Sequence, residues 1–283
     1  MMLKFSKMHG LGNDFIVIDA INQQVDLTTQ QIRFLADRRK GIGCDQLLIV
    51  ETTALENTDF RYRIFNADGS EVAQCGNGVR CFARFVREKK LTEKDSIAVE
   101  TQSGIVYPTL QQNDHVRVDM GLPRFPPNEL PFNVENQAIS YTLALSDGTE
   151  LVIGAVSMGN PHAVTRVDNI ELADVSNWGP QVEAHALFPQ KVNAGFMEIV
   201  SRTQVKLRVY ERGAGETQAC GTGACAAVVV GIQQGLLDRE VRVSLQGGDL
   251  DIAWPDDQSS VWMTGPATQV FDGEIAWSTI NTQ

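Results

Sequence analysis

The chain has 283 residues, enough for one large domain or for two smaller ones that each bury a core. Its 24 Lys and Arg residues against 35 Asp and Glu residues give a formal net charge of -11, which disfavours nucleic acid and anionic membranes as partners. The N-terminus lacks the apolar segment of a signal peptide, and the longest apolar run, near 224–232, is too short to span a bilayer, so a soluble cytoplasmic protein is expected.

The first half of the chain predicts helices separated by short strands. Thr28-Thr29 opens the helical pattern QQIRFLADRR, which Gly41 stops. A second helix is predicted over VRCFARFVREKK, where Arg80, Arg84 and Arg87 fall on one stripe and indicate a solvent-facing side. The alternating runs YRIF, SIAVET, IVYPTL and VRVDM predict strands of an antiparallel sheet.

The second half of the chain follows a proline cluster, Pro123–Pro127. This cluster is the best linker candidate because prolines break both helix and strand, and it predicts a join near residue 121. Beyond it, Ser176-Asn177 opens the helical pattern WGPQVEAHALF, and the runs VKLRVY, VRVSL, LDIAW and VWMTG predict strands. The run ACAAVVVGI before Gly235 is apolar on every side and predicts a buried helix. The pattern as a whole indicates an α+β protein.

The two halves resemble each other at an offset of about 145 to 149 residues, far longer than a solenoid repeat, so we expect a doubled domain. Four landmarks recur in the same order. They are GND before IVID and GNP before HAVTRVD, the two helix openings, Gln46 and Asn193 before apolar runs, and FNADGSEVAQCGNG (65–78) with YERGAGETQACGTG (210–223).

The last repeat places Cys75 and Cys220 just before a predicted helix. There, unpaired N–H groups and the positive end of the helix dipole predict a thiol pKa below its usual value of about 8.5. One thiolate and one thiol facing each other across a cleft can remove a proton from one face of a carbon and return one to the other, as a racemase or epimerase requires. The backbone N–H groups that can bind a carboxylate beside them belong to Gly76, Asn77, Gly221 and Thr222.

These cysteines and glycines admit other interpretations. The five cysteines are an odd number and favour free thiols, and Cys44, Cys81 and Cys225 are expected to be small buried hydrophobes. Zinc binding within each repeat is disfavoured, because a helix turns the second cysteine away from the first. Nucleotide binding is disfavoured because no GK[ST] follows either glycine run. Without the duplication, a structural role for Cys75 and Cys220 would come before catalysis.

Long motifs recur from one end of the chain to the other: FSKMHGLGNDFIVID, DRRKGIGCDQLL, FNADGSEVAQCGNGVRC, MGNPHAV and ERGAGETQACGTGACA. On these motifs the sequence resembles the diaminopimelate epimerase family. The resemblance implies an isomerase that interconverts LL- and meso-2,6-diaminopimelate, towards lysine and peptidoglycan, with neither pyridoxal phosphate nor a metal. It also implies two pseudo-symmetric α+β domains, each a β-barrel-like, mostly antiparallel sheet around a central helix. The expected halves are 1–120 with 267–283, and 121–266, with the active site in the cleft between them.

The resemblance also assigns residues. It implies that Cys75 donates and Cys220 accepts the proton in the LL-to-meso direction, and that His162 and Glu211 tune the cysteine pair. Arg212 can bind the distal carboxylate through two hydrogen bonds. The implied substrate-contacting positions are Asn13, Gln46, Asn66, Asn160, Asn193, Glu211 and Arg212, with the amides of Gly76, Asn77, Gly221 and Thr222. The remaining histidines, expected to be structural or on the surface, are His9, His115 and His185.

Two alternative functions stay open. A related cofactor-independent racemase for proline or hydroxyproline would not need the distal set of Asn66, Asn160, Asn193 and Arg212. A non-catalytic protein would use the glycine-rich turns for anion binding or thiol redox chemistry. The expected partner is a small diamino dicarboxylate, with no nucleic acid and no membrane. The resemblance suggests a homodimer, to which the aromatic stretch at 271–277 can contribute.

Overall fold

The structure is a computed structural model that describes residues 1–72 and 76–281. The strands are β1 Met2–Gly10, β2 Asn13–Asp19, β3 Gln46–Glu51, β4 Phe60–Asn66, β5 Glu71–Val72, β6 Val99–Thr101, β7 Gly104–Val106, β8 Thr109–Leu110, β9 His115–Asp119, β10 Tyr141–Ala144, β11 Glu150–Ser157, β12 Pro161–Arg166, β13 Asn193–Ser201, β14 Gln204–Glu211, β15 Gly215–Thr217, β16 Glu240–Leu245, β17 Gly248–Ala253, β18 Trp262–Pro266 and β19 Thr268–Ala276. The helices are α1 Thr29–Ala36, α2 Gly76–Glu88, α3 Val175–Glu183, α4 Gly221–Gln233 and α5 Trp277–Asn281, with 3-10 turns at Gln112–Asp114 and Pro127–Glu129.

The chain divides into two compact units. The first comprises Met1–Val118 with Gly265–Gln283, and the second comprises Asp119–Thr264. Together with the sheet-rich composition of each unit, this division agrees with the predicted α+β class. The assignment of one epimerase half to each unit stays a prediction.

In the first unit, one sheet runs in the order β19-β1-β2-β3-β4-β6-β7, and β5 pairs with β4. Strands β2 and β3 are parallel and are joined through α1, whereas β4 and β6 are parallel and are joined through α2. Strand β19 comes from the end of the chain and pairs with almost the whole of β1, from Met2 opposite Ala276 to His9 opposite Thr268. Ile32 and Leu35 of α1 pack into a core with Leu47 of β3.

The second unit repeats this arrangement. Its strands run in the order β10-β11-β12-β13-β14-β16-β17-β18, with β15 on β14. Here β12 and β13 are parallel and are joined through α3, and β14 and β16 are parallel and are joined through α4. The hairpin register is also repeated, since Ile64 lies opposite Val72 in β4–β5, and Val209 lies opposite Thr217 in β14–β15. The internal duplication seen in the sequence is therefore a duplication of fold.

The parallel pairs modify the prediction of an antiparallel sheet. Alternating polarity identifies a strand with one buried face but does not encode its direction. A parallel pair needs a crossover connection, and in both units a helix supplies it. The helix that follows each cysteine motif is thus the crossover connection between two strands that pair in parallel.

The helix α4 is buried along most of its length, as its apolar sequence predicts. Residues 223–229 are almost inaccessible, and the helix packs against β11, β12, β13, β14, β16 and β17. The helix ends at Gln233, and two residues later Gly235, with φ 72° in the left-handed region, donates its N–H to Ile232 O at 2.9 Å. Within the described residues, no helix is long and apolar enough to cross a membrane.

The prediction of a solvent-facing arginine stripe on α2 was wrong at Arg80. This side chain is fully buried, and its Nε donates to Pro266 O at 3.1 Å, whereas Arg84 and Arg87 remain partly exposed. The helical spacing was correct, but α2 packs against β1, β2, β3, β8 and β19 and so buries the first turn of the stripe.

Two further local predictions need correction. Helix α3 begins at Val175 after Asp174, so Ser176-Asn177 lies inside it, whereas Thr28 caps α1 as predicted through its hydrogen bond with Gln31 N. The proline cluster is not a free linker. Arg124 exchanges two backbone hydrogen bonds with Ser157, at 2.8 and 3.0 Å, so the cluster belongs to the second unit.

Candidate active site

The Cys220 thiol lies at the start of α4. Cys220 is the N-cap residue, with extended backbone angles, and its Sγ accepts a hydrogen bond from Gly223 N at 3.4 Å. Position 223 favours a glycine, because a Cβ there would lie 3.0 Å from Val209 Cγ2 and 3.2 Å from the sulfur, and one of these neighbours would have to shift. The glycine therefore allows the helix end to approach the thiol closely. Cys220 is only 3% exposed.

A carboxylate lies on the other side of the Cys220 sulfur. Glu211 is the last residue of β14, and its Oε2 accepts a hydrogen bond from Cys220 Sγ at 3.0 Å. Its second oxygen, Oε1, accepts from Thr217 Oγ1 at 2.6 Å. Glu211 and Cys220 are nine residues apart in sequence, and the tight β14–β15 hairpin brings them together.

A chain of polar groups connects the sulfur to a buried histidine. Thr222 Oγ1 lies 3.6 Å from Cys220 Sγ and accepts from Asn160 Nδ2 at 3.3 Å. Asn160 Oδ1 lies 3.0 Å from His162 Nε2, so the amide orientation that satisfies Thr222 makes Nε2 the protonated ring nitrogen. Among the described residues, no hydrogen-bond partner faces the buried His162 Nδ1.

Burial controls the proton affinities of this site. It raises the pKa of the Cys220 thiol well above its usual value, and the negative charge of Glu211 raises that pKa further. The prediction of a lowered thiol pKa was therefore wrong for Cys220: the hydrogen bonds from Thr222 and Gly223 act in that direction but are outweighed. Burial, followed by the positive charge of Arg212, lowers the pKa of His162 to about 3, so this imidazole is neutral.

Asn193 fixes the backbone next to Glu211. Its Oδ1 accepts from Arg212 N at 2.9 Å, and its Nδ2 donates to Pro161 O at 3.0 Å. Among the described residues, the Arg212 guanidinium makes one hydrogen bond, from Nη1 to Gln190 O at 3.2 Å, and its other donors can bind a ligand. The substrate contacts of Asn193 and Arg212 stay predictions.

In the first unit, the predicted residues form two pairs. Asn77, in the first turn of α2, donates from Nδ2 to Asn13 Oδ1 at 3.2 Å. Gln46 Nε2 donates to Asn66 Oδ1 at 3.0 Å, across the β3–β4 ladder. The other predicted residue, Cys75, lies outside the described residues, which resume at Gly76 as the first residue of α2.

The pairs of the two units correspond. Asn13 with Asn77 matches Asn160 with Thr222: in each case an asparagine side chain bonds the second residue of the helix that follows the cysteine motif. The glycines before these asparagines, Gly12 and Gly159, both have φ 88°, a left-handed turn that favours glycine. The clearest difference is at Asn66, whose counterpart is the charged Glu211.

Sequence reasoning missed the charged residues that hold Asn13. Asp45 Oδ2 accepts from Asn13 Nδ2 at 3.0 Å, and Arg38 bonds both Asp45 and Asp14. Burial disfavours the Asp14 charge, but hydrogen bonds from Arg38 and Lys7 outweigh it and hold the pKa of Asp14 well below its usual range. These residues lie inside the motifs FSKMHGLGNDFIVID and DRRKGIGCDQLL, and their place in those motifs was the available sign of a functional role.

The described residues hold no group of three or more His, Cys, Asp or Glu placed to bind a metal ion.

The other cysteines of the described chain are buried in cores. Cys81 and Cys225 are fully inaccessible, and burial raises the pKa of Cys44 to about 12. Their predicted role as small buried hydrophobes is confirmed.

Comparison with known proteins decides the family. The diaminopimelate epimerase family profile matches residues 5–126 and 154–270. The chain belongs to the diaminopimelate epimerase family. A diaminopimelate epimerase from Nitrosomonas europaea is 62% identical over 275 residues, which are 97% of this chain and 99% of that protein. One from Chromobacterium violaceum is 60% identical over 275 residues, with the same shares of 97% and 99%.

Solved structures support the fold. A hydroxyproline epimerase from Agrobacterium vitis gives a TM-score of 0.69 at 15% identity, covering 98% of this chain and 93% of that one. A phenazine biosynthesis protein of the PhzF family from Bacillus anthracis gives 0.70 at 18% identity, covering 98% and 99%. These likenesses confirm the predicted α+β fold. Membership of the diaminopimelate epimerase family confirms the predicted resemblance and makes the chain an isomerase.

Proposed function

We propose that the chain interconverts LL-2,6-diaminopimelate and meso-2,6-diaminopimelate, a step towards lysine and peptidoglycan, by proton transfer through Cys75 and Cys220 without pyridoxal phosphate or a metal. The observation that carries the proposal is the Cys220 site. A buried thiol at a helix N-terminus lies 3.0 Å from a carboxylate, in a chain of the diaminopimelate epimerase family.

The reaction needs two proton-transfer groups. In the LL-to-meso direction, the Cys220 thiolate takes the α-proton and becomes a thiol, while the Cys75 thiol gives its proton to the opposite face of the same carbon and becomes a thiolate. The reverse reaction exchanges these roles, so two residues of one kind suit both directions. The site at α4 supports this scheme, since a thiolate at Cys220 would accept hydrogen bonds from Gly223 N and from the Thr222 hydroxyl.

The developing carbanion requires stabilisation because an amino-acid α-proton is weakly acidic. The first N–H groups of a helix have no intrahelical acceptor, so those of Gly221 and Thr222 can bind the α-carboxylate where negative charge increases. We assign the same role to Gly76 and Asn77 in α2. The proposed substrate ligands are Asn13, Gln46, Asn66, Asn160, Asn193, Glu211 and Arg212, with His162 and Glu211 adjusting the thiols.

Proton NMR in heavy water tests this function. The enzyme is incubated separately with LL-diaminopimelate and with L-proline, and the α-proton signal of each is followed. We expect loss of the α-proton signal from diaminopimelate alone, because the thiols exchange their protons with solvent deuterium. Exchange with L-proline alone would instead identify a related racemase, and the absence of exchange with either substrate would refute both assignments.

We also propose a cytoplasmic homodimer. Support comes from β19, which forms one edge of the sheet of the first unit as described and exposes Val270 and Phe271 by 56% and 48%. An exposed edge strand with apolar side chains is a template for pairing with another chain. Sedimentation velocity should give the mass of two chains, with a shift towards one chain in the Phe271→Asp variant. A wild-type protein with the mass of one chain would contradict the homodimer.

A further inference from the structure

Both oxygens of the Glu211 carboxylate accept a hydrogen bond. Oε2 accepts from the Cys220 thiol at 3.0 Å, and Oε1 accepts from the Thr217 hydroxyl at 2.6 Å. A free carboxylate rotates about its last side-chain bond, because such terminal torsions have broad minima. With Oε1 fixed by Thr217, the other oxygen has one position, and in that position it faces the sulfur.

The hairpin that carries Thr217 is itself fixed. Arg208 of β14 forms two hydrogen bonds with Glu216 of β15, Nε to Oε1 at 2.6 Å and Nη2 to Oε2 at 3.0 Å. Gln246 Nε2 adds a third bond to Glu216 Oε1 at 2.9 Å. A bidentate pair of this kind sets geometry as well as energy. Thr217, the next residue, is therefore placed by the register of β14–β15.

At the corresponding described positions, the first unit keeps the ion pair but not the contact between hydroxyl and carboxylate. Arg63 bonds Glu71 through Nε and Nη2, both at 2.8 Å, as Arg208 bonds Glu216. At the register position of Thr217, however, it has Val72, which has no hydroxyl. The residue at the position of Glu211 is the neutral Asn66. The hydroxyl and the carboxylate thus occur together in the second unit, and neither stands at the corresponding positions of the first.

We propose that Thr217 is a positioning residue for proton transfer at Cys220: its hydroxyl holds the Glu211 carboxylate so that the second oxygen accepts the thiol hydrogen. This inference rests on the proposed function. Thr217 acts through Glu211 and needs no contact with the substrate. Without the Thr217 hydroxyl, the Glu211 carboxylate can rotate and no longer holds the thiol hydrogen in one direction. A misplacement of about 1 Å at a reacting group costs on the order of 10²-fold in rate.

The Thr217→Val variant tests the proposal, since valine keeps the shape and removes the hydroxyl. We expect kcat for LL-diaminopimelate to fall by about 10- to 100-fold with KM within about threefold, because Glu211 and the other proposed substrate ligands are all kept and only the orientation of the carboxylate at the reacting thiol is lost. Thr217→Ser, which restores the hydroxyl, should return kcat to within about threefold of wild type. The matched control is Thr165→Val. This change removes the buried hydroxyl of Thr165 in β12, which donates to Val152 O of β11 at 2.8 Å. The kcat of this variant should stay within about threefold of wild type.

A double-mutant cycle with Glu211→Gln gives the sharper test. If Thr217 acts through Glu211, adding Thr217→Val to Glu211→Gln should lower kcat by no more than about threefold further. Multiplicative losses in the double variant would overturn the proposal, as would a kcat for Thr217→Val equal to that of Thr165→Val. Should Thr217→Val fail to fold by circular dichroism, Thr217→Ser and Thr217→Ala replace it, and equal kcat values for those two would also overturn it. An inactive wild type would refute the proposed function itself, whereas an active wild type with an unaffected Thr217→Val would refute only the positioning role.

Discussion

The Cys220→Ala variant is expected to lose epimerisation by roughly 10⁴-fold in kcat, because a single remaining thiol cannot serve both faces of the α-carbon. The same loss is expected for Cys75→Ala. KM for LL-diaminopimelate should change far less, since the amides and polar side chains that bind the substrate remain. The measurement is the initial rate of conversion to meso-diaminopimelate by chromatography, with the purified variant at high concentration.

The matched control for this prediction is Cys225→Ala, five positions further along α4. Cys225 is also fully buried, so its removal leaves a cavity of similar size and lowers the free energy of unfolding by about 1–2 kcal/mol. Its kcat should stay within about twofold of wild type, because this thiol lies away from the helix N-terminus. If both variants lost activity equally, a structural role for Cys220 would explain the result better than catalysis.

Acid should destabilise the second unit through His162. The folded-state pKa is about 3, against 6.5 for an unperturbed histidine, because burial and the charge of Arg212 oppose protonation. A lowered folded-state pKa contributes stability that is complete above about pH 6.5 and is lost as the pH falls towards about 3. Between about pH 7 and about pH 4.5, this residue alone should remove about 2–3 kcal/mol from the free energy of unfolding.

His162→Gln isolates this contribution. Glutamine does not titrate, and its Nε2 can still donate to Asn160, so the acid-side loss should be smaller by about 2–3 kcal/mol than in the wild type. Urea unfolding at the two pH values, followed by the fluorescence of the buried Trp254, reports on the second unit. His185→Gln leaves His162 in place and should keep the wild-type loss. Equal acid-side losses in His162→Gln and wild type would contradict the assignment.

The duplication was predictable from sequence because glycines and polar residues at turns recur in a fixed order. The buried helix α4 was predictable because all its sides are apolar. Strand direction was not, since the parallel pairs β2–β3 and β12–β13 depend on where a crossover helix returns the chain. The burial of Arg80 also depends on which strands α2 packs against, and helical spacing alone does not determine that.

The candidate site, like the fold, was predictable only in part. A motif can indicate that Cys220 begins a helix, and a local argument then predicts a lowered thiol pKa. The pKa is raised instead, because tertiary packing removes water and places Glu211 beside the sulfur. Thr217 was missed for a related reason. Its contact with Glu211 follows from the pairing of β14 with β15, and a threonine in a polar segment gives no sign of that pairing.

The division of the chain also determines the order in which its parts can fold during synthesis. The second unit is one continuous segment, Asp119–Thr264, whereas the first needs β19 from the end of the chain to pair with β1. The ribosome therefore releases every residue of the second unit before the strand that completes the sheet of the first. Domains fold as units during translation. The N-terminal sheet of this protein, although begun first, is the last to be completed.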